Sequence, residues 1–170
     1  MGIDPGTANL GFGVIRIEGG HMVALDGGVI ETSSSDAAET RLTQIHDSLF
    51  DLIKWHQPTA VALEDLYFGK NVGSAMRVGQ ASGVAMLAAA RNGVDCFAYT
   101  PQAIKSAVCG SGDAAKRQVQ RMVATLLGLS EPPRPDHAAD ALAVAICHGG
   151  TAGLREAASV ATPAPIRVAN

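Results

Sequence analysis

The chain has 170 residues, the usual size of one compact domain, and 47% of them are hydrophobic, enough to bury a sizeable core. No apolar run is long enough to cross a bilayer and no basic stretch precedes an apolar one at the start, which excludes a membrane protein and implies a cytoplasmic one. The net charge of -3 argues mildly against nucleic acid, and Cys96, Cys109 and Cys147 never fall into a CxxC spacing, which excludes a disulfide framework or a zinc site.

Charge is unevenly distributed along the chain. Residues 18 to 65 hold nine acids and two bases, whereas residues 66 to 121 hold Lys70, Arg77, Arg91, Lys105, Lys116, Arg117 and Arg121 against Asp95 and Asp113. The middle of the chain is therefore suited to a polyanion, whatever the overall balance.

The chain opens with three extended segments, Met1 to Asp4, Gly11 to Ile17 and Met22 to Ile30, joined by turns at Pro5-Gly6 and Gly19-Gly20. Only three residues precede Asp4, so either the first strand is short or the natural chain starts elsewhere. Leu42, Ile45, Leu49, Leu52 and Ile53 recur at helical spacing and place a helix at about 38 to 56, stopped by Pro58. Thr59 to Leu63 is a short apolar run of the kind that forms a buried parallel strand, ending at Glu64.

A second helix is expected from about 73 to 91, with Gly79, Gly83 and a row of alanines that allow close approach, and Val94 to Ala98 is the next strand. Short helices follow at 101 to 107 and 114 to 127. Pro132, Pro133 and Pro135 form a stiff connector to a last helix at about 137 to 148. Residues 1 to 149 then form one α/β domain, a mixed five-stranded sheet with helices on both faces, and residues 150 to 170, rich in Ala, Thr and Pro, form a flexible tail.

Three places on this framework carry chemistry. Asp4 and Glu64 each follow a strand, where α/β proteins place their ligand sites. Taken alone, Asp4 reads more readily as the start of an Asp-Pro-Gly turn. His137 and Asp140 share a face at the start of the last helix; Asp136 reads as its N-cap, while the Ala-rich apolar helix after Asp140 implies burial against the sheet. Carboxylates and a histidine from two strand ends and one helix start suit Mg²⁺ or Mn²⁺, two of which can stabilise the attacking and leaving oxygens of a phosphodiester displacement.

Gly2-Ile3-Asp4-Pro5-Gly6, Glu64-Asp65-Leu66-Tyr67-Phe68, Val78-Gly79-Gln80-Ala81 and Asp136-His137-Ala138-Ala139-Asp140-Ala141-Leu142-Ala143 occur in the order seen in RuvC resolvases, which the chain resembles over residues 1 to 149. The resemblance implies an RNase H-like fold and an endonuclease that resolves four-way (Holliday) DNA junctions by paired symmetric nicks. It implies that Asp4, Glu64 and Asp140 hold two Mg²⁺ or Mn²⁺ ions, with His137 at a fourth position where many members carry Asp. Imidazole is a softer ligand than carboxylate, so activity with Mn²⁺ is expected to equal or exceed that with Mg²⁺. The resemblance also makes Tyr67 a base-stacking aromatic with Phe68 as its partner, and puts Lys70, Arg77, Lys105 and Lys116 on DNA. It implies a homodimer built partly on the helix at 73 to 91, and a branch-migration complex of the RuvA and RuvB type as partner.

Rival readings remain at this point. Sugar kinases and actin-like ATPases share the opening strand, Asp, Gly and Thr, but need a second lobe. An RNase H-like nuclease acting on other nucleic acid keeps the fold and loses the junction. A non-catalytic DNA-binding module is motivated by His137 standing where a carboxylate is usual.

Overall fold

A computed structural model describes residues 1–65 and 72–161 of the chain. The element order is β1 (Gly2–Asp4), β2 (Asn9–Glu18), β3 (His21–Glu31), α1 (Ala38–His56), β4 (Ala60–Glu64), α2 (Val72–Arg91), β5 (Asp95–Tyr99), α3 (Pro101–Cys109), α4 (Lys116–Leu126) and α5 (Asp136–Ala161). The strands form a mixed five-stranded sheet in the order β3-β2-β1-β4-β5, antiparallel among the first three strands and parallel from β1 through β4 to β5. Among the described residues there is one sheet.

Local sequence explains the joints. Gly19 and Gly20 have φ of 57° and 82°, the doubly positive pair that a two-residue hairpin between β2 and β3 requires. Gln57 ends α1 in the left-handed region with its N–H on the Ile53 carbonyl, and Pro58 prevents continuation. Thr100 caps α3 by accepting from the Ala103 N–H at 3.2 Å, with Pro101 at the first helical position.

Helices cover both faces of the sheet. On one face, α1 and α2 bury Ile45, Leu49, Ile53, Ala81, Ala85 and Ala88 against Ile3, Leu10 and Phe12. On the other, α3, α4 and α5 bury Ile104, Val108, Val119, Val123, Leu142 and Val144 against Ala62. Ala60 to Leu63 of β4 are all buried, as a central parallel strand should be.

The structure departs from the sequence expectations in two places. The alanines of α2 do pack inward, but Gly83 faces open space. The last helix runs past 148 to Ala161, into the segment expected to begin a tail at 150; residues 162–170 of that segment lie outside the described residues. Alanine, leucine, glutamate and arginine are good helix formers, and the first proline after His148 is Pro163.

Candidate active site

β1 and β4 are parallel neighbours with Ile3 opposite Leu63, so Asp4 and Glu64 leave the sheet side by side at its carboxyl end. The start of α5 lies directly over them. That approach depends on missing side chains: a Cβ at Gly11 would collide with the His137 carbonyl, and one at Gly2 with the carbonyl of Ala141. Ala138, Ala139 and Ala141 complete the packing at 1% exposure or less, which fixes the rotation of α5 and turns His137 and Asp140 towards the strand ends.

Asp4, His137 and Asp140 each offer a ligand atom within 4.8 Å of the others. His137 Nδ1 lies 2.7 Å from Asp4 Oδ2, the ring N–H donating to the carboxylate, which leaves Nε2 as the other ring nitrogen. Asp4 is mostly buried and His137 about half-exposed, so the group sits at the mouth of the fold. Glu64 stands outside this trio and shares with Asp140 a cavity of about 330 Å³ that Lys105 and Lys116 also line.

Lys116, the first residue of α4, reaches Asp140 Oδ2 at 2.9 Å and Asp136 Oδ2 at 3.4 Å. Gln120, one turn later, donates from Nε2 to Asp136 Oδ1 at 3.0 Å. The pairing with Asp140 raises the Lys116 pKa, and the same lysine lowers that of Asp136. Burial pushes the Asp4 carboxyl above its ordinary range against the opposing pull of the His137 hydrogen bond. Burial, reinforced by the charges of Asp4 and Asp140, carries Glu64 up to about 7.

Acids that raise one another's pKa in a half-buried pocket are a site short of positive charge. A divalent cation would supply it, and the donors are hard oxygens and one imidazole. The residues present fit such an ion.

Of the residues singled out from sequence, Asp4, His137 and Asp140 converge, and Glu64 lines a cavity together with Asp140. Asp136 is the exposed first residue of α5, held by two side chains of α4 in place of acting as an isolated cap. Lys105 lines the cavity, Lys116 lies inside the cluster, and Arg77 is exposed on α2. Tyr67, Phe68 and Lys70 lie outside the described residues. Gln120 was not foreseen, and no local signal marks it: its role appears only once α4 is packed on α5.

The family model described as "Crossover junction endodeoxyribonuclease RuvC" matches residues 1–148. The chain is similar to the crossover junction endodeoxyribonuclease RuvC of Chloroflexus aggregans, at 50% identity over 89% of this chain and 93% of the relative, and to that of Rubrobacter xylanophilus, at 48% over 96% and 91%. Among solved structures, the Thermus thermophilus RuvC in complex with a Holliday junction substrate superposes with a TM-score of 0.87 at 41% identity, covering 91% of this chain and 94% of that one. The yeast mitochondrial Holliday junction resolvase shares the fold, with a TM-score of 0.66 at 14% identity over 94% and 82% of the two chains.

Proposed function

The chain belongs to the RuvC family of crossover junction endodeoxyribonucleases, and from that membership we infer that it resolves four-way DNA junctions by metal-dependent hydrolysis of a phosphodiester in each of two strands. The observation that carries this is the convergence of Asp4, His137 and Asp140 within 4.8 Å, beside Glu64, at the carboxyl end of two parallel strands. Asp4, Glu64 and Asp140 would provide oxygens for two divalent ions, Mg²⁺ or Mn²⁺, and His137 would provide the fourth ligand. Such ions polarise the scissile phosphate and lower the pKa of a bound water.

The protein's own groups set the stage for that chemistry. Asp4 orients the His137 ring by accepting from Nδ1, which leaves Nε2 as the nitrogen free to meet a cation or a proton. Lys116 neutralises Asp140 while no cation is bound, and its Nζ is placed to contact a phosphate when one is. Lys105 on the same cavity, with Arg77 and Lys70, adds sequence-independent phosphate contacts, and Tyr67 with Phe68 stacks on an unpaired base at the junction centre.

Two equivalent cuts need two equivalent sites, so the working form is a two-fold homodimer. Met76, Met86 and Leu87, exposed by 65%, 47% and 52% on α2, support an interface there. Among the described residues no helix is long and apolar enough to cross a membrane, which accords with work in the cytoplasm beside a branch-migration complex of the RuvA and RuvB type. The test is a synthetic four-way junction incubated with Mn²⁺. Paired nicks in opposing strands are expected, with a linear duplex of the same sequence left intact; equal cutting of both substrates would overturn junction selectivity.

A further inference from the structure

A second and larger groove, of about 910 Å³, opens beside the catalytic cavity between α4 and the segment 131–135, with Asp136 and His137 among its walls. We propose that this groove binds the sugar–phosphate backbone of the DNA strand flanking the phosphate to be cut, through the guanidinium groups of Arg117, Arg121 and Arg134. The proposal rests on the nuclease reading above and adds to it a track for the strand, carried by residues that the catalytic pocket does not use.

Three observations converge. Arg117 and Arg121 are four residues apart on the exposed face of α4, opposite buried Val119 and Val123, so both side chains stand on the same helix flank. Arg134 approaches the same groove from a segment stiffened by Pro132, Pro133 and Pro135. Two elements thus supply cations to one channel.

The second observation is what these arginines do not touch. Elsewhere, Arg16 pairs with Glu18 at 3.0 Å, Arg41 donates to Thr32 Oγ1 and to the Thr7 carbonyl, and Arg91 lies over the Phe50 ring. Among the described residues, the guanidinium groups of Arg117, Arg121 and Arg134 have no hydrogen bond or ion pair. Three unpaired, planar, multidentate donors around one groove match phosphate oxygens better than any internal use.

The third observation is local charge. Asp136 also lines the groove, but Lys116 and Gln120 already engage its carboxylate, so Glu131 is the acid left to offset three arginines. The groove therefore keeps a cationic excess in a chain whose overall charge is -3. Because His137 belongs to both the groove and the metal-ligand trio, a strand lying along the arginines reaches the edge of that trio.

The test measures binding of the full chain to a four-way junction in chelator, as a function of salt, for wild type, Arg117→Gln/Arg121→Gln, Arg117→Lys/Arg121→Lys, and Arg16→Gln as a distant control. Every phosphate left without its cation should reduce the salt dependence by about 0.9 in log K against log salt, so the double glutamine variant should lose about 2 and bind more weakly. The double lysine variant should regain most of that slope, and Arg16→Gln should behave as wild type. A double glutamine variant with the wild-type slope, while wild type still binds and cuts junctions, would overturn the groove and leave the nuclease reading standing. A wild-type chain that fails to bind junctions would overturn both. Should circular dichroism show the double variant misfolded, Arg134→Gln in the loop gives the same decision with a smaller expected loss of about 1.

Discussion

Among the described residues, two carboxylate–histidine pairs join separate elements of the fold at nearly equal length. Asp4 and His137 meet at 2.7 Å above the carboxyl end of β1, and Asp26 and His56 meet at 2.9 Å where β3 faces the end of α1. Asp26 also accepts from the Gly27 N–H at 2.8 Å, and no third acid joins it in a metal-sized group among the described residues. Asp4, by contrast, is deeper, is joined by Asp140, and its charge helps to raise the pKa of Glu64. A carboxylate–histidine pair is thus an ordinary way to tie two elements together; it becomes a site when further acids are packed around it with too little positive charge.

Exchanging amide for carboxylate in the two pairs should break this comparison most clearly. Asp4→Asn should lower junction cleavage at saturating Mn²⁺ by more than roughly a hundredfold, beyond the loss usual for a residue that merely supports a ligand. Asp26→Asn should cut at the wild-type rate. Equal losses in the two variants would mean that the pairs do the same structural job.

Metal choice gives a smaller, sharper contrast. Cleavage by the wild type with Mn²⁺ should match or exceed that with Mg²⁺, and His137→Asp should shift the ratio several-fold towards Mg²⁺. A strict Mg²⁺ preference in the wild type would remove His137 as a ligand.

The pH dependence of stability follows from Glu64. Its folded-state pKa of about 7 is above its ordinary 4.5, so burial favours the protonated form. Stability contributed in this way is fully present below pH 4.5 and is lost as pH rises through about 7. In chelator, the thermal midpoint should therefore fall across that window, and Glu64→Gln should flatten the fall. Saturating Mn²⁺ should also suppress it, since the ion replaces the proton. An unchanged pH profile in Glu64→Gln would place the crowding of acids elsewhere.

The smallest effect is expected at the second pair. His56→Gln should cost about 1 kcal/mol, a shift of roughly 2–4 °C for a chain of this size, and leave cleavage untouched. Loss of cleavage in that variant would extend the site well beyond the carboxyl end of the sheet.

The sequence revealed the parts of this site that depend on local pattern. Asp4 and Glu64 could be placed because each ends a short apolar run that had to be a strand, and His137 and Asp140 because helical spacing puts them on one face. What stayed hidden depends on how elements pack. Gly11 reads as one more glycine in β2 until α5 is seen crossing it at a distance that no Cβ allows. Lys116 reads as a surface cation until α4 sets it on Asp140, 24 residues away. Arg134 joins Arg117 and Arg121 only because the segment 131–135 folds back beside α4. The end of α5 was misplaced because a run of alanine, threonine and glycine resembles a loop in composition while its alanines favour a helix.

Calorimetric titration of Mn²⁺ into wild type, Asp4→Asn, Asp140→Asn and Asp26→Asn reads the convergence of the acids without involving DNA. Saturable binding by the wild type and by Asp26→Asn, sharply weakened by either substitution at the carboxyl end of the sheet, is the predicted result. Binding that survives in both Asp4→Asn and Asp140→Asn at wild-type strength would contradict a shared cation pocket at these strand and helix ends.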